Sequence, residues 1–161
     1  MLYCYNCGEK TILNTKCTKC GSIFWKNPRC CAGSLIIFDN NLLLVRRGQE
    51  PWAGYWDIPG GYCEAHEHPK DCAIREAKEE TGLDIEITNY HGIWLDTISE
   101  TSIYGDNICI YYTARPINDN LKILDKNEIL EIKWFSWNNL PYNLAFPSHI
   151  PCVLQKYRSN L

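Results

Sequence analysis

The sequence predicts an α/β chain of the α+β type, in which one mixed sheet carries packed helices behind a small cysteine-rich module. Three observations carry that prediction. Short apolar runs recur with turn residues between them, a helical stretch from Pro69 to Thr81 interrupts them, and four cysteines crowd the first twenty positions. At 161 residues the chain suits one ordinary domain with an appendage. Its 45% apolar and 22% charged composition is that of a globular protein, not a disordered one. Sixteen Lys and Arg against 19 Asp and Glu leave a net charge of −3, which offers no electrostatic footprint for duplex nucleic acid or an anionic membrane surface. No apolar run approaches the roughly 18 residues that span a bilayer. Met1-Leu2-Tyr3-Cys4 has neither the basic nor the apolar region of a signal peptide, so a cytoplasmic chain is expected.

The ten cysteines fall into two sets. Cys4-Tyr5-Asn6-Cys7-Gly8 and Cys17-Thr18-Lys19-Cys20-Gly21 are paired C-x-x-C turns, each followed by a glycine that lets the backbone fold under the sulfurs. Two such turns present the four soft ligands that a tetrahedral Zn²⁺ takes; two disulfides or four idle thiols are the plainer reading. The arrangement resembles a zinc ribbon. With all four positions filled by protein, one Zn²⁺ there would be structural and would supply much of the local folding energy. Cys30, Cys31, Cys63, Cys72, Cys109 and Cys152 are scattered among apolar neighbours and read as small buried hydrophobes in a reducing compartment. Phe24 and Trp25 are expected to pack the ribbon against the larger unit, and Pro28 marks a boundary, giving units 1–28 and 29–161.

Beyond the boundary, Gly33 to Phe38 and Leu42 to Val45 read as a hairpin turned at Asp39-Asn40-Asn41. Further strands are expected at Ile85–Ile87, Gly92–Ile98, Ile108–Ala114 and Ile132–Phe135, with a short helix after Pro151. In the long helix, Pro69 suits the first turn and Gly82 the left-handed residue past the end. Ala73, Ile74 and Ala77 can face the sheet, while Glu76, Glu79 and Glu80, at i, i+3 and i+4, share another face. Three like charges there cost a few tenths of a kcal/mol per pair in an isolated helix. A solvated acidic surface is the bland account. Hard oxygen ligands on one side are also what Mg²⁺ or Mn²⁺ takes when phosphates complete its shell.

The full spacing favours the second account. Gly61, five residues, Glu67, seven residues, then Arg75-Glu76-Ala77-Lys78-Glu79-Glu80-Thr81-Gly82-Leu83 matches the box of the Nudix hydrolases at all seven charged and glycine positions. Only Ala77 departs, where the pattern asks for a bulkier aliphatic residue. The chain thus resembles a Nudix hydrolase, and the likeness extends over residues 30–158 through a Leu-Val-Arg-Arg strand, the Trp56-Asp57-Ile58-Pro59-Gly60-Gly61 lead-in and a late Lys133-Trp134-Phe135 strand. The resemblance implies an α/β/α sandwich around a mixed sheet and hydrolysis of a nucleoside diphosphate linked to another group. It implies Glu76, Glu79 and Glu80 as ligands of Mg²⁺ or Mn²⁺ beside the Gly60 carbonyl, and Glu79, Glu80 and Arg75 in the catalytic set. Arg75 would hold a neighbouring carboxylate, and Glu67 would brace the loop, with Gly61 and Gly82 structural. Arg47 resembles the family arginine that meets substrate phosphate, although a lone surface arginine is an equal reading.

Trp56 and Trp52 stand near the site, where an aromatic face can stack a base. Glu128 or, second to it, Glu131 is expected to add a carboxylate or general base before the late strand, against two solvated loop acids. His66 and His68 read as solvated loop residues. The competing class is a non-catalytic Nudix regulator that senses a nucleotide; retention of Glu79 and Glu80 argues for the enzyme. A ribbon ahead of the domain resembles the layout of NADH pyrophosphatases, yet their S-Q-P-W-P-F-P signature is absent and Ala145-Phe146-Pro147-Ser148 echoes only part of it. Spacing does not choose among ADP-ribose, other sugar nucleotides, dinucleotides and nucleoside triphosphates. The walls expected to choose are the Trp52–Trp56 loop and the Trp94–Ile98 strand. A nucleotide is the expected partner, and a homodimer is an open expectation because related enzymes are often dimers.

Overall fold

In the computed structural model, which describes residues 2–23, 25, 27–97 and 106–159, the chain opens on a two-stranded ribbon. β1 (Leu2–Tyr3) pairs antiparallel with β2 (Lys10–Thr11). The two cysteine turns close alike: Gly8 N–H donates to Cys4 O and Gly21 N–H to Cys17 O, both at 2.9 Å, and both glycines have positive φ. A Cβ at either would meet nothing within 4 Å, so the left-handed backbone, not crowding, asks for glycine. Trp25 is 56% exposed and does not pack as expected, because it stands in an irregular link that no sheet or helix face covers. Phe24, the other half of that expectation, lies outside the described residues.

β3 (Arg29–Phe38) and β4 (Asn41–Arg47) form the expected hairpin. Asp39 and Asn40 both take positive φ, as a tight two-residue turn demands. The two strands pair only at Ile37↔Leu42 and Phe38↔Asn41 and then part. β3 goes on to pair antiparallel with β6 (Gly60–Tyr62) and parallel with β8 (Asn107–Pro116), which in turn pairs with β7 (Ile85–Asp96). β4 pairs antiparallel with β5 (Trp56–Asp57) and β9 (Ile129–Ser136). One seven-stranded mixed sheet results.

Alternation along β3 and β4 feeds two faces. Leu35, Leu42 and Leu44 join Trp137, Ile150, Val153 and Leu154 on the side of α2 (Ile150–Arg158). Ile36 and Leu43 join Ala77 and Leu83 on the side of α1 (Pro69–Thr81), with Ala32, Cys72 and Ala73 alongside. Both faces are covered, which is why the two strands read as unbroken apolar runs. The α/β/α arrangement is the expected one.

α1 has the bounds expected of it. Pro69 opens it, and Gly82, at φ 74°, closes it by donating its N–H to Lys78 O at 2.9 Å. His68 is no idle loop residue, since its Nδ1 accepts the Lys70 N–H at 3.1 Å and caps the helix. The segments expected as two strands, Ile85–Ile87 and Gly92–Ile98, are one strand to Asp96; irregularities at Ile87/Asn89 and Tyr90/Gly92 absorb the broken alternation. Ile98 lies outside the described residues. The scattered cysteines depart from a uniform buried set. Cys72 and Cys109 are buried, Cys30, Cys31 and Cys63 half-buried, and Cys152 exposed because α2 turns Ile150, Val153 and Leu154 inward instead. No described helix is long and apolar enough to cross a membrane.

Candidate active site

The loop from β6 into α1 is organised by one arginine. Arg75 Nε and Nη2 donate to the two Glu67 oxygens at 2.8 and 2.9 Å, a bidentate fork, and Nη2 also reaches Tyr62 O at 3.1 Å. Its Nη1 donates to Glu76 Oε1 at 2.7 Å and Glu79 Oε2 at 2.8 Å. The sequence led to one carboxylate partner for Arg75; the structure gives it three. Glu67 also accepts the Glu64 N–H at 2.8 Å, and the Arg75 bonds together with that one hold its carboxyl down to about 2. A Cβ at Gly61 would come within 2.6 Å of the Glu76 carboxyl, so a larger residue there would push that acid aside.

The acids of α1 differ in setting. Glu79 is exposed. Glu76 is half-buried, and burial raises its carboxyl despite Arg75, with Glu79 and Glu128 adding to the rise. Glu80 is buried and accepts the Gly60 N–H at 2.9 Å. Burial lifts it well above 4.5, and Asp57, Glu76 and Glu128 push the same way. Carboxylates facing one another around a buried acid are what a divalent cation stabilises.

Glu76, Glu80, Arg75 and Gly60 line a cavity of about 650 Å³ that continues past Arg47, Asp57 and Glu128 to Asp96, Tyr111 and His149. Arg47 Nη1 meets Asp57 Oδ2 at 3.1 Å, and its guanidinium lies 4.9 Å from the Phe146 ring centre. Glu128 is on the cavity wall, whereas Glu131 is paired with Arg46 at 3.3 Å and is not. Trp56 is not on the wall either. It is buried edge-on against Phe135 in the α2-side core, because β5 pairs with β4 there and turns its indole inward. Trp52, at the far end of that loop, packs edge-on against Tyr55.

The deep end of the cavity holds Asp96, from the expected Trp94–Ile98 wall, beside Tyr111 and His149, which the sequence did not single out. His149 Nε2 lies 2.9 Å from the Tyr111 hydroxyl, and Nδ1 lies 3.6 Å from Asp96 Oδ1. Ser148 Oγ donates to the same Asp96 oxygen at 2.8 Å. Burial disfavours charge on His149, yet Asp96 and Cys109 lift it to about 9. Asp57 follows Trp56 and Asp96 follows Ile93-Trp94-Leu95, and an acid closing an apolar run was the available signal. In the ribbon, Cys4, Cys7, Cys17 and Cys20 bring four sulfurs within 4.8 Å of one another, with Cys4–Cys20 at 3.6 Å and Cys7–Cys17 at 3.7 Å. That cluster fits a zinc ribbon.

A mixed sheet between two helices carries an acid-bearing loop and helix onto a cavity that arginines share, an arrangement that fits hydrolysis of a phosphoanhydride. The chain belongs to the Nudix hydrolases, for the NUDIX domain family model matches residues 29–155. Members generally use divalent metal and act on pyrophosphate bonds. Over 120 residues the chain is 32% identical to an ADP-ribose pyrophosphatase of Methanocaldococcus jannaschii, covering 74% of this chain and 68% of that protein. Over 146 residues it is 26% identical to the NAD-capped RNA hydrolase NudC of Vibrio atlanticus, covering 88% of this chain but 51% of that protein, about half its length. A NUDIX hydrolase from Nitrosomonas europaea shares the fold at a TM-score of 0.81 and 24% identity, over 99% of this chain and 93% of that one.

Proposed function

We propose that the chain is a metal-dependent hydrolase that cleaves the pyrophosphate of a nucleoside diphosphate joined to a second group, with ADP-ribose or a NADH-type dinucleotide ahead of nucleoside triphosphates. The observation that carries this reading is the presence of two arginine–aromatic pairs on the wall of the acid-lined cavity. Arg47 lies over Phe146 beside Asp57, and Arg29 lies 4.3 Å from the Tyr62 ring centre. Two cation–aromatic pairs on the same wall as the acids suit a substrate with bulk on both sides of its pyrophosphate. The likeness to an ADP-ribose pyrophosphatase points the same way.

Glu76, Glu79 and Glu80, with the Gly60 carbonyl, would hold Mg²⁺ or Mn²⁺; hard oxygens around a buried acid fit such an ion. Bound there, the ion supplies Lewis-acid neutralisation of the pyrophosphate and a more acidic water. Arg75 keeps Glu67, Glu76 and Glu79 in register with the loop. Glu128 takes the proton of the attacking water, whose oxygen bonds to one phosphorus as the bridging P–O bond breaks. ADP-ribose plus water thus becomes AMP plus ribose 5-phosphate. The four ribbon cysteines would hold one structural Zn²⁺.

Incubation with Mg²⁺ and each candidate, followed by chromatography, should give AMP and a phosphorylated second product from ADP-ribose or NADH. Release of pyrophosphate from nucleoside triphosphates alone would reverse the ranking. Glu128→Gln should lower turnover about 10-fold. That is less than the usual 10²–10⁴-fold for a general base, because Glu128 is exposed and water can stand in for it. Glu131→Gln should keep full turnover. Full turnover of Glu128→Gln from pH 6 to 9 removes it from the mechanism.

A further inference from the structure

Three cysteines converge behind the catalytic loop, on the α1 face of the sheet, and the proposed hydrolysis uses none of them. Ala32 packs with Cys72 and Ala73, and Cys30, two residues earlier on β3, shares that face. Cys63 follows β6, and Cys72 lies in the first turns of α1. The Cys63 and Cys72 sulfurs and a Glu67 oxygen lie within 4.8 Å of one another. Cys30 Sγ stands 3.5 Å from Cys63 Sγ, close to the 3.6 and 3.7 Å of the ribbon pairs. Tetrahedral zinc, with Zn–S of about 2.3 Å, sets its sulfurs roughly 3.8 Å apart.

We infer that Cys63, Cys72 and Glu67, with Cys30 beside Cys63, form a second site for a thiophilic divalent cation such as Zn²⁺, separate from the ribbon and from the carboxylates of α1. Charge supports the assignment. Two thiolates and a carboxylate around a divalent ion leave one net negative charge, and Arg75 is placed to meet it, with Nη2 3.6 Å from Cys72 Sγ and two bonds on Glu67. Ligand softness keeps the sites apart, since sulfur selects zinc and carboxylate oxygen selects Mg²⁺.

Dialysis against micromolar Zn²⁺ with millimolar Mg²⁺, then desalting and elemental analysis, should find two zinc per chain in the wild type. Cys63→Ser/Cys72→Ser should hold one, in the ribbon, and Cys4→Ser/Cys20→Ser should hold one, behind the loop. One zinc in the wild type, or two in Cys63→Ser/Cys72→Ser, overturns the site. Because Cys72 is fully buried and its change can cost the fold, the wild type supplies a second measurement. Zinc beyond the first equivalent should slow iodoacetamide alkylation of Cys63 by about tenfold or more while leaving the exposed Cys152 unchanged. Equal Cys63 rates with and without that zinc overturn the proposal.

Discussion

Glu80→Gln should remove most of the hydrolase activity, by about 10²-fold or more, while the chain stays folded. A ligand that helps an ion neutralise transition-state charge is worth several kcal/mol, which is a loss of that order. The amide is nearly isosteric and can still accept the Gly60 N–H, so the loss belongs to the chemistry and not to packing. Stability should move the other way. Burial puts the Glu80 carboxyl well above its ordinary 4.5, so below that value it is neutral in folded and unfolded chains alike. As pH rises past 4.5 the unfolded chain ionises first, and folding stability falls until the folded-state value is passed. In chelator, Glu80→Gln should therefore melt higher than wild type, with a difference that opens above about pH 4.5. Wild-type turnover at saturating Mg²⁺ would sink the assignment; an equal melting temperature at neutral pH would sink the account of the buried acid.

Arg75→Met should cost about 10–100-fold in activity or in apparent Mg²⁺ affinity, the range for losing a group that orients metal ligands. Methionine keeps the aliphatic length and deletes the fork that ties Glu67, Glu76 and Glu79 to one another. The Mg²⁺ concentration for half-maximal rate should rise, so part of the loss returns at high Mg²⁺. The acid limb should change too. Glu67, held down to about 2 from an ordinary 4.5, contributes stability that is fully present above 4.5 and lost as pH falls through about 2. Without Arg75 that contribution goes, and the decline in melting temperature between pH 4.5 and 2 should be shallower. An unchanged Mg²⁺ dependence with full turnover would show the clamp to be ornamental.

Local chemistry made one part of the molecule legible. Pro69 and Gly82 mark both ends of α1 because a fixed φ and a left-handed residue are properties of single positions. The ribbon cysteines and the box acids were legible for the same reason, as side chains placed by short loops and one helix. Glu128, expected from its place before β9, lies on the cavity wall, and its neighbour Glu131 is separated from it by the strand register that pairs it with Arg46. The deep end of the cavity was not legible. Tyr111 meets His149 from 38 positions away, and Asp96 meets Ser148 from 52. No periodicity records such meetings. Trp56 misled because indole near a glycine-rich lead-in looks the same whether its strand turns it toward solvent or core.

The pairing of β3 has a consequence for how the chain assembles. The ribbon closes over contacts that lie near one another in sequence, within positions 2–23. Gly60, by contrast, is held against Gly33 on a strand whose longest pairing, Arg29↔Asn107 through Ile36↔Ala114, is with β8. Contacts that distant in sequence form slowly, because loop closure costs entropy before they stabilise anything. A growing chain therefore carries every acid of α1 well before the sheet that aims them exists. Hydrolytic competence arrives only when β8 has emerged and docked, so substitutions on its α1 face, at Ile110 or Tyr112, should delay the first turnover after refolding more than they alter turnover once folding is done.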